Sequence, residues 1–139
     1  MKIMAIDYGD AHTGIAVSDR TLMLTGFSTV INAYRSEAVI EQVKALIAEH
    51  EVTELVLGHP INMDGTRGVR AEKAEGFAEL LREATSLPVT LWDERRTTVD
   101  AHNILINNGK NAKARKKTVD AVAASLMLEG YLTFKKRQK

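Results

Sequence analysis

Between Lys2 and Asp7 the chain runs Ile3-Met4-Ala5-Ile6 without a polar break. An unbroken apolar run of this length predicts a central strand covered on both faces. Asp7-Tyr8-Gly9-Asp10 reads as a turn, Gly14 to Asp19 as a second strand, and a third falls within Leu24 to Ile31. Short links between three strands predict an antiparallel meander.

The period then changes. Ser36 is the expected N-cap of a helix carrying Val39, Ile40, Val43, Leu46 and Ile47 on one stripe. Glu54 to Gly58 is a strand stopped at His59-Pro60. A second helix follows, with Ala74, Phe77, Ala78 and Leu81 in line and Thr66 as its expected cap. Pro88 to Trp92 is a fifth strand, ending in Asp93-Glu94-Arg95. Thr97 and Asp100 fit a capping pattern for a short helix closed at Asn107-Asn108-Gly109. Val119, Val122, Ala123, Leu126 and Met127 give the stripe of a last helix. The order βββ-α-β-α-β-α-α predicts a single α/β domain over 1–139. Its mixed sheet has a three-strand antiparallel meander plus two parallel strands, reached by right-handed crossovers and flanked by helices.

Composition narrows the function classes. With 139 residues, 45% apolar and 27% charged, the chain is an ordinary globular length and mixture. It has no cysteine, which excludes disulfides, thiolate-bound zinc and a Cys nucleophile. The N-terminal residues lack a signal-peptide pattern and no run approaches the roughly 20 apolar residues of a membrane span, so a cytoplasmic protein is expected. Net charge is only +1 but is unevenly placed: residues 1–109 hold 10 Lys/Arg against 16 acids, residues 110–139 hold 9 against 2. An acidic body with a basic end is the asymmetry of a protein that meets a polyanion at one edge. Lys113, Arg115, Lys116 and Lys117, read as the loop before the last helix, are the candidate phosphate contacts. The basic tail at about 134–139 reads as solvated. With 5% aromatic residues, phosphate and shape recognition is expected over base stacking.

The candidate chemistry lies in carboxylates at strand ends. Asp is disfavoured in strands and in the interior, yet Asp7 ends the central apolar strand and Asp93-Glu94 ends another. Ligand chemistry in open α/β sheets gathers beyond such ends. Asp120 sits at the rim of the last helix's apolar stripe, and Ala123 and Ala124 would let that helix approach the sheet. Converging carboxylates need a cation between them, and oxygen-only ligands suit Mg²⁺ or Mn²⁺. Each acid also has a plainer role: a turn for Asp7, a helix N-terminal charge for Glu94, an ion pair with Lys116 or Lys117 for Asp120. His12 and His59 stand near the expected strand ends, and Asp64 is a candidate supporting group.

Four segments, in order, carry a resemblance. Ile6-Asp7-Tyr8-Gly9-Asp10-Ala11-His12-Thr13-Gly14-Ile15-Ala16-Val17-Ser18-Asp19, Gly58-His59-Pro60-Ile61-Asn62-Met63-Asp64-Gly65-Thr66, Asp93-Glu94-Arg95-Arg96-Thr97-Thr98 and Lys117-Thr118-Val119-Asp120-Ala121-Val122-Ala123-Ala124 are similar to the motifs of the YqgF family. The resemblance implies an RNase H-like fold related to RuvC and catalytic, metal-holding acids at Asp7, Glu94 and Asp120. Gly9, Gly14, Asp64 and Asp93 would then be supporting residues, and Arg95 would join the basic cluster in holding nucleic acid. It implies a nuclease maturing the 5′ end of the small-subunit ribosomal RNA precursor, RNA being favoured over DNA and ribosomal precursor particles being partners. A resolvase of branched DNA is the alternative, and a monomer or weak dimer is expected. Two departures stand out. RuvC-type enzymes carry a Glu where this chain has Gly58-His59-Pro60, and Ala11-His12 replaces a Lys-Arg pair usual in the family.

Two rivals come from other classes. Asp7, Gly9 and Gly14 also satisfy the opening turn of actin-like ATPases and sugar kinases, which clamp nucleotide between two domains where this chain supplies one. A non-catalytic RNA-binding module would use the same basic cluster without cleaving anything.

Overall fold

The computed structural model describes residues 2–22, 24–60, 64–93 and 112–137, with side chains in the last helix described for 122–135. Strands β1 (Lys2–Asp7), β2 (His12–Ser18) and β3 (Thr25–Asn32) come first, then helix α1 (Ser36–His50), β4 (Val52–His59), α2 (Val69–Thr85), β5 (Val89–Asp93) and α3 (Ala112–Arg137). The strands form one sheet in the order β3-β2-β1-β4-β5. β1–β2 and β2–β3 are antiparallel, β1–β4 and β4–β5 parallel, so the expected meander and parallel half-sheet are both present. The short helix expected from Thr97 lies outside the described residues.

The unbroken apolar run of β1 is explained by burial on both sides. Met4 and Ile6 join Ile15, Val17, Leu55 and Leu57 against α1 and α2, which contribute Val39, Val43, Ala74, Phe77, Ala78 and Leu81. Ile3 and Ala5 join Ala16, Val56 and Trp92 against α3, which contributes Ala124, Met127, Leu128, Tyr131 and Leu132. Alternation along each strand divides its residues between these two layers. Small Ala5 and Ala16 on the sheet meet Ala124 on α3, which permits close approach there.

Three local expectations need correction. Ser36 is the first helical residue rather than the cap; Arg35, extended at φ −94° and ψ 134°, holds the cap position without a side-chain bond. Thr66 does not cap α2, which starts three residues later behind Gly68. Its amide and hydroxyl instead donate to the Asp64 carboxylate, at 3.0 and 2.6 Å, closing a turn through Gly65 at φ +88°. The last helix is also longer than its stripe suggested. Lys113, Arg115, Lys116 and Lys117 belong to α3 itself, not to a loop before it. Its buried face turns toward Ala124 and Leu128, leaving Leu126 half-buried. The helix continues through Arg137. Lys135, read as part of a solvated tail, places its ammonium 2.7 Å from Glu54 of β4.

Candidate active site

Parallel pairing of β1, β4 and β5 brings three strand ends to one edge of the sheet. Ile6 is in register with Leu57, and His59 with Asp93, so Asp7, Gly58-His59 and Asp93 meet there. The half-buried Asp7 stands two residues beyond Ala5 and therefore on the α3 face. Its antiparallel partner is Gly14, and the next position along β4 is the buried Gly58. Both share its face, by alternation from Ala16 and Val56. Asp7 thus stands between two residues without side chains. The spacing of Gly14 is visible in the sequence, whereas the role of Gly58 emerges only from the β1–β4 register.

The turn after Asp7 is built on Gly9. A Cβ there would lie 2.3 Å from the carbonyl oxygen of His12, so only glycine lets the chain fold back this tightly. His12 donates through Nδ1 to the Asn32 amide oxygen at 2.6 Å, tying β2 to β3.

His59 faces the other side. It donates through Nε2 to Glu75 of α2 at 2.6 Å, and Arg67 forks onto the same carboxylate, with Nε 2.7 Å from Oε2 and Nη2 on Oε1. The Arg67 hydrogen bonds, and after them the His59 bond, hold the Glu75 carboxyl below its ordinary range. His59 therefore holds the edge through α2 instead of reaching the face of Asp7. Asp93 follows Trp92, which packs toward α3, so alternation puts Asp93 on the α1–α2 side as well. Asp64 spends its Oδ1 on the Thr66 turn.

Glu94 and Arg95 lie outside the described residues. Asp120, Lys113, Arg115, Lys116 and Lys117 are placed by the backbone on the N-terminal part of α3. Among the described residues no three His, Asp or Glu side chains gather closely enough to hold a metal ion.

The model of a family described as "RuvX: Holliday junction resolvase" matches residues 1–134. The chain belongs to the RuvX family. A relative from Halothermothrix orenii named "Putative pre-16S rRNA nuclease" is 42% identical over 99% of this chain and 98% of its own. One of the same name from Carboxydothermus hydrogenoformans is 40% identical over 99% of each. Among solved structures, Thermus thermophilus RuvC in complex with a Holliday junction substrate superposes with a TM-score of 0.57 at 11% identity, covering 98% of this chain and 96% of that one. A ROK hexokinase from the same organism gives 0.51 at 22% identity, over 74% of this chain and 38% of the kinase. The fold is the one RuvC has. The kinase likeness extends over a minor part of the larger protein, in keeping with a shared fold unit rather than a shared two-domain clamp.

Proposed function

We propose that this RuvX-family chain is a divalent-metal-dependent nuclease that hydrolyses phosphodiester bonds in the precursor of the small-subunit ribosomal RNA. Asp7, Glu94 and Asp120 are its catalytic acids. The observation that carries the reading is the setting of Asp7: a half-buried carboxylate at the end of the central strand, between Gly14 and Gly58, on the face that α3 covers. Asp120 belongs to that covering helix. Within the pair Asp93-Glu94, the motif resemblance assigns catalysis to Glu94 and a supporting role to Asp93. The names of the relatives support ribosomal RNA as the substrate.

The donor set, carboxylate oxygens alone, fits Mg²⁺ or Mn²⁺. Asp7, Glu94 and Asp120 would hold the metal, which when bound supplies a polarised water and charge neutralisation at a phosphodiester. The chain's own contribution is to present Asp7 from β1 and Asp120 from α3, and to anchor the substrate phosphates with Lys113, Arg115, Lys116, Lys117 and Arg95. Asp93, Asp64, Gly9 and Gly14 support the edge. A cytoplasmic location fits the reading. Among the described residues no helix is long and apolar enough to cross a membrane.

Branched DNA is the second reading, favoured by the family description and by the RuvC likeness. Such a resolvase would act as a symmetric dimer, because a junction presents two equivalent strands. The decisive assay offers ribosomal precursor, single-stranded RNA and junction DNA to the wild type and to Asp7→Asn, Glu94→Gln and Asp93→Asn, with and without Mn²⁺. The expected result is metal-dependent cleavage of the precursor. Asp7→Asn and Glu94→Gln should fall beyond the roughly 10- to 100-fold loss that removal of a supporting partner causes, and Asp93→Asn should stay within it. Full turnover by Asp7→Asn would remove the proposed site, and preference for the junction would install the second reading.

A further inference from the structure

On the opposite face of the same edge lies an open groove of about 510 Å³, whose walls include Tyr8, Asp10, Tyr34, Lys73, Phe77 and Leu80. Its size is that of a small-molecule site, for which about 300–1,000 Å³ is usual. It begins in the turn that leaves the candidate active site, since Tyr8 and Asp10 directly follow Asp7. Tyr8 stacks flat on Phe77, with ring centroids 3.9 Å apart and planes within 3°, which makes a rigid aromatic floor. Tyr34 is 84% exposed, an aromatic ring left in solvent at the groove's rim. Above the floor the Lys73 ammonium stands 3.5 Å from the Asp10 carboxylate, with both side chains more than half exposed. A pair so exposed contributes only about 0–1 kcal/mol, so both groups can turn to a ligand.

The charges indicate what kind of ligand. Asp10 and Lys73 both line the groove, and with side chains 84% and 58% exposed they set a carboxylate and an ammonium side by side, open to a ligand. An acceptor-only carboxylate beside a donor-only ammonium is matched by a neutral ring edge that presents donors next to an acceptor. Among the RNA bases, guanine alone offers two adjacent donors, N1–H and N2–H₂, on its pairing edge, where one carboxylate can accept both. The neighbouring O6 is an acceptor suited to an ammonium. Unpaired bases are recognised in this way, by stacking on an aromatic ring and bonding along the Watson–Crick edge.

We propose that this groove is a base subsite that takes an unpaired guanine of the RNA strand, stacked on Tyr34, with Asp10 accepting from N1–H and N2–H₂ and Lys73 donating to O6. The subsite rests on the reading of this chain as a protein that acts on RNA. It would set which single-stranded segment is delivered across the edge to Asp7, giving a base preference that phosphate contacts cannot supply.

The test is binding in the presence of EDTA, by fluorescence anisotropy, to labelled single-stranded RNAs of one length that differ only in carrying G, A, C or U at a central position. The wild type should bind the G oligomer most tightly. Tyr34→Ala should weaken it on the order of tenfold, whereas Tyr34→Phe, which keeps the ring, should match the wild type. Asp10→Asn should erase the preference for G over A while leaving the A oligomer's affinity unchanged. Equal affinity for all four oligomers, or a Tyr34→Ala protein that binds as the wild type does, overturns the proposal. A wild type that cleaves precursor with a KM shared by Tyr34→Ala would sink the subsite and leave the nuclease standing. Guanine-selective binding through Tyr34 with no cleavage under Mn²⁺ would establish the subsite and sink the nuclease.

Discussion

Asp7 owes its setting to residues that contribute no side chain. Gly14 is its partner on β2, and Gly58 stands at the next position along β4, where RuvC-type enzymes carry a Glu. On the other face, the edge is held by Glu75, which receives both Arg67 and His59. Because these partners lower its folded-state pKa, the network's contribution is fully present above the unfolded carboxylate value near 4.5. It is lost as pH falls from there through the lower folded value. Glu75→Gln should therefore lower the melting temperature at neutral pH and flatten its decline on the acid side of pH 4.5. Parallel acid melting curves for the two proteins would show that the Arg67–Glu75–His59 cluster is inconsequential.

At the scale of elements, the turn between β1 and β2 leaves no space for a side chain at Gly9. A methyl group at Gly9 meets backbone, the His12 carbonyl, rather than a side chain that could move aside. Gly9→Ala should cost about 1–3 kcal/mol, the range for forced overpacking, read as a lower urea midpoint with an unchanged m-value. Since this turn joins Asp7 to the groove at Tyr8 and Asp10, activity should fall with it. A wild-type midpoint would mean that the turn relaxes freely. Helix α3 is fastened at several points along its length. Thr25 of β3 donates to the Ser125 carbonyl at 3.4 Å and through its amide to Glu129 at 3.2 Å. Tyr131 donates to Glu54, and Trp92 packs edge-on against Tyr131 and Phe134. The helix that carries Asp120 is thereby fixed to the same sheet that presents Asp7.

For the whole molecule, charge and shape divide the labour. The acidic body carries the strand-end carboxylates, and four of the basic residues of the C-terminal part sit on the first turns of α3. Neutralising Lys113, Arg115, Lys116 and Lys117 together should weaken RNA binding and make its salt dependence shallower. The log–log slope should fall by about 0.7 for each single-strand phosphate that the protein no longer neutralises. The guanine preference assigned to the groove should survive, because base edges and phosphates are read by different groups. An unchanged slope would return these residues to the role of a solvated helix face.

The sequence by itself determined the order of the described elements, the central position of β1, the two-sided burial of Ile3 to Ile6, and the strand ends at which Asp7 and Asp93 stand. These follow from local periodicity and from the poor fit of a carboxylate in an apolar strand, which neighbouring residues alone reveal. Helix boundaries were less legible. Arg35 holds a cap position without a capping side chain, and α1 and α2 end at Glu51 and Ser86 in left-handed geometry where no glycine marks the stop. The basic cluster was indistinguishable from a loop, because long charged side chains suit a solvated helix as well as a turn. Only the tertiary structure decided which residues share a face across strands. That Asp7 lies between Gly14 and Gly58, that His59 turns away to Glu75, and that Tyr8, Tyr34 and Lys73 line one groove all depend on register and on helix docking. Those are set by contacts between residues far apart in the chain, which no local pattern encodes.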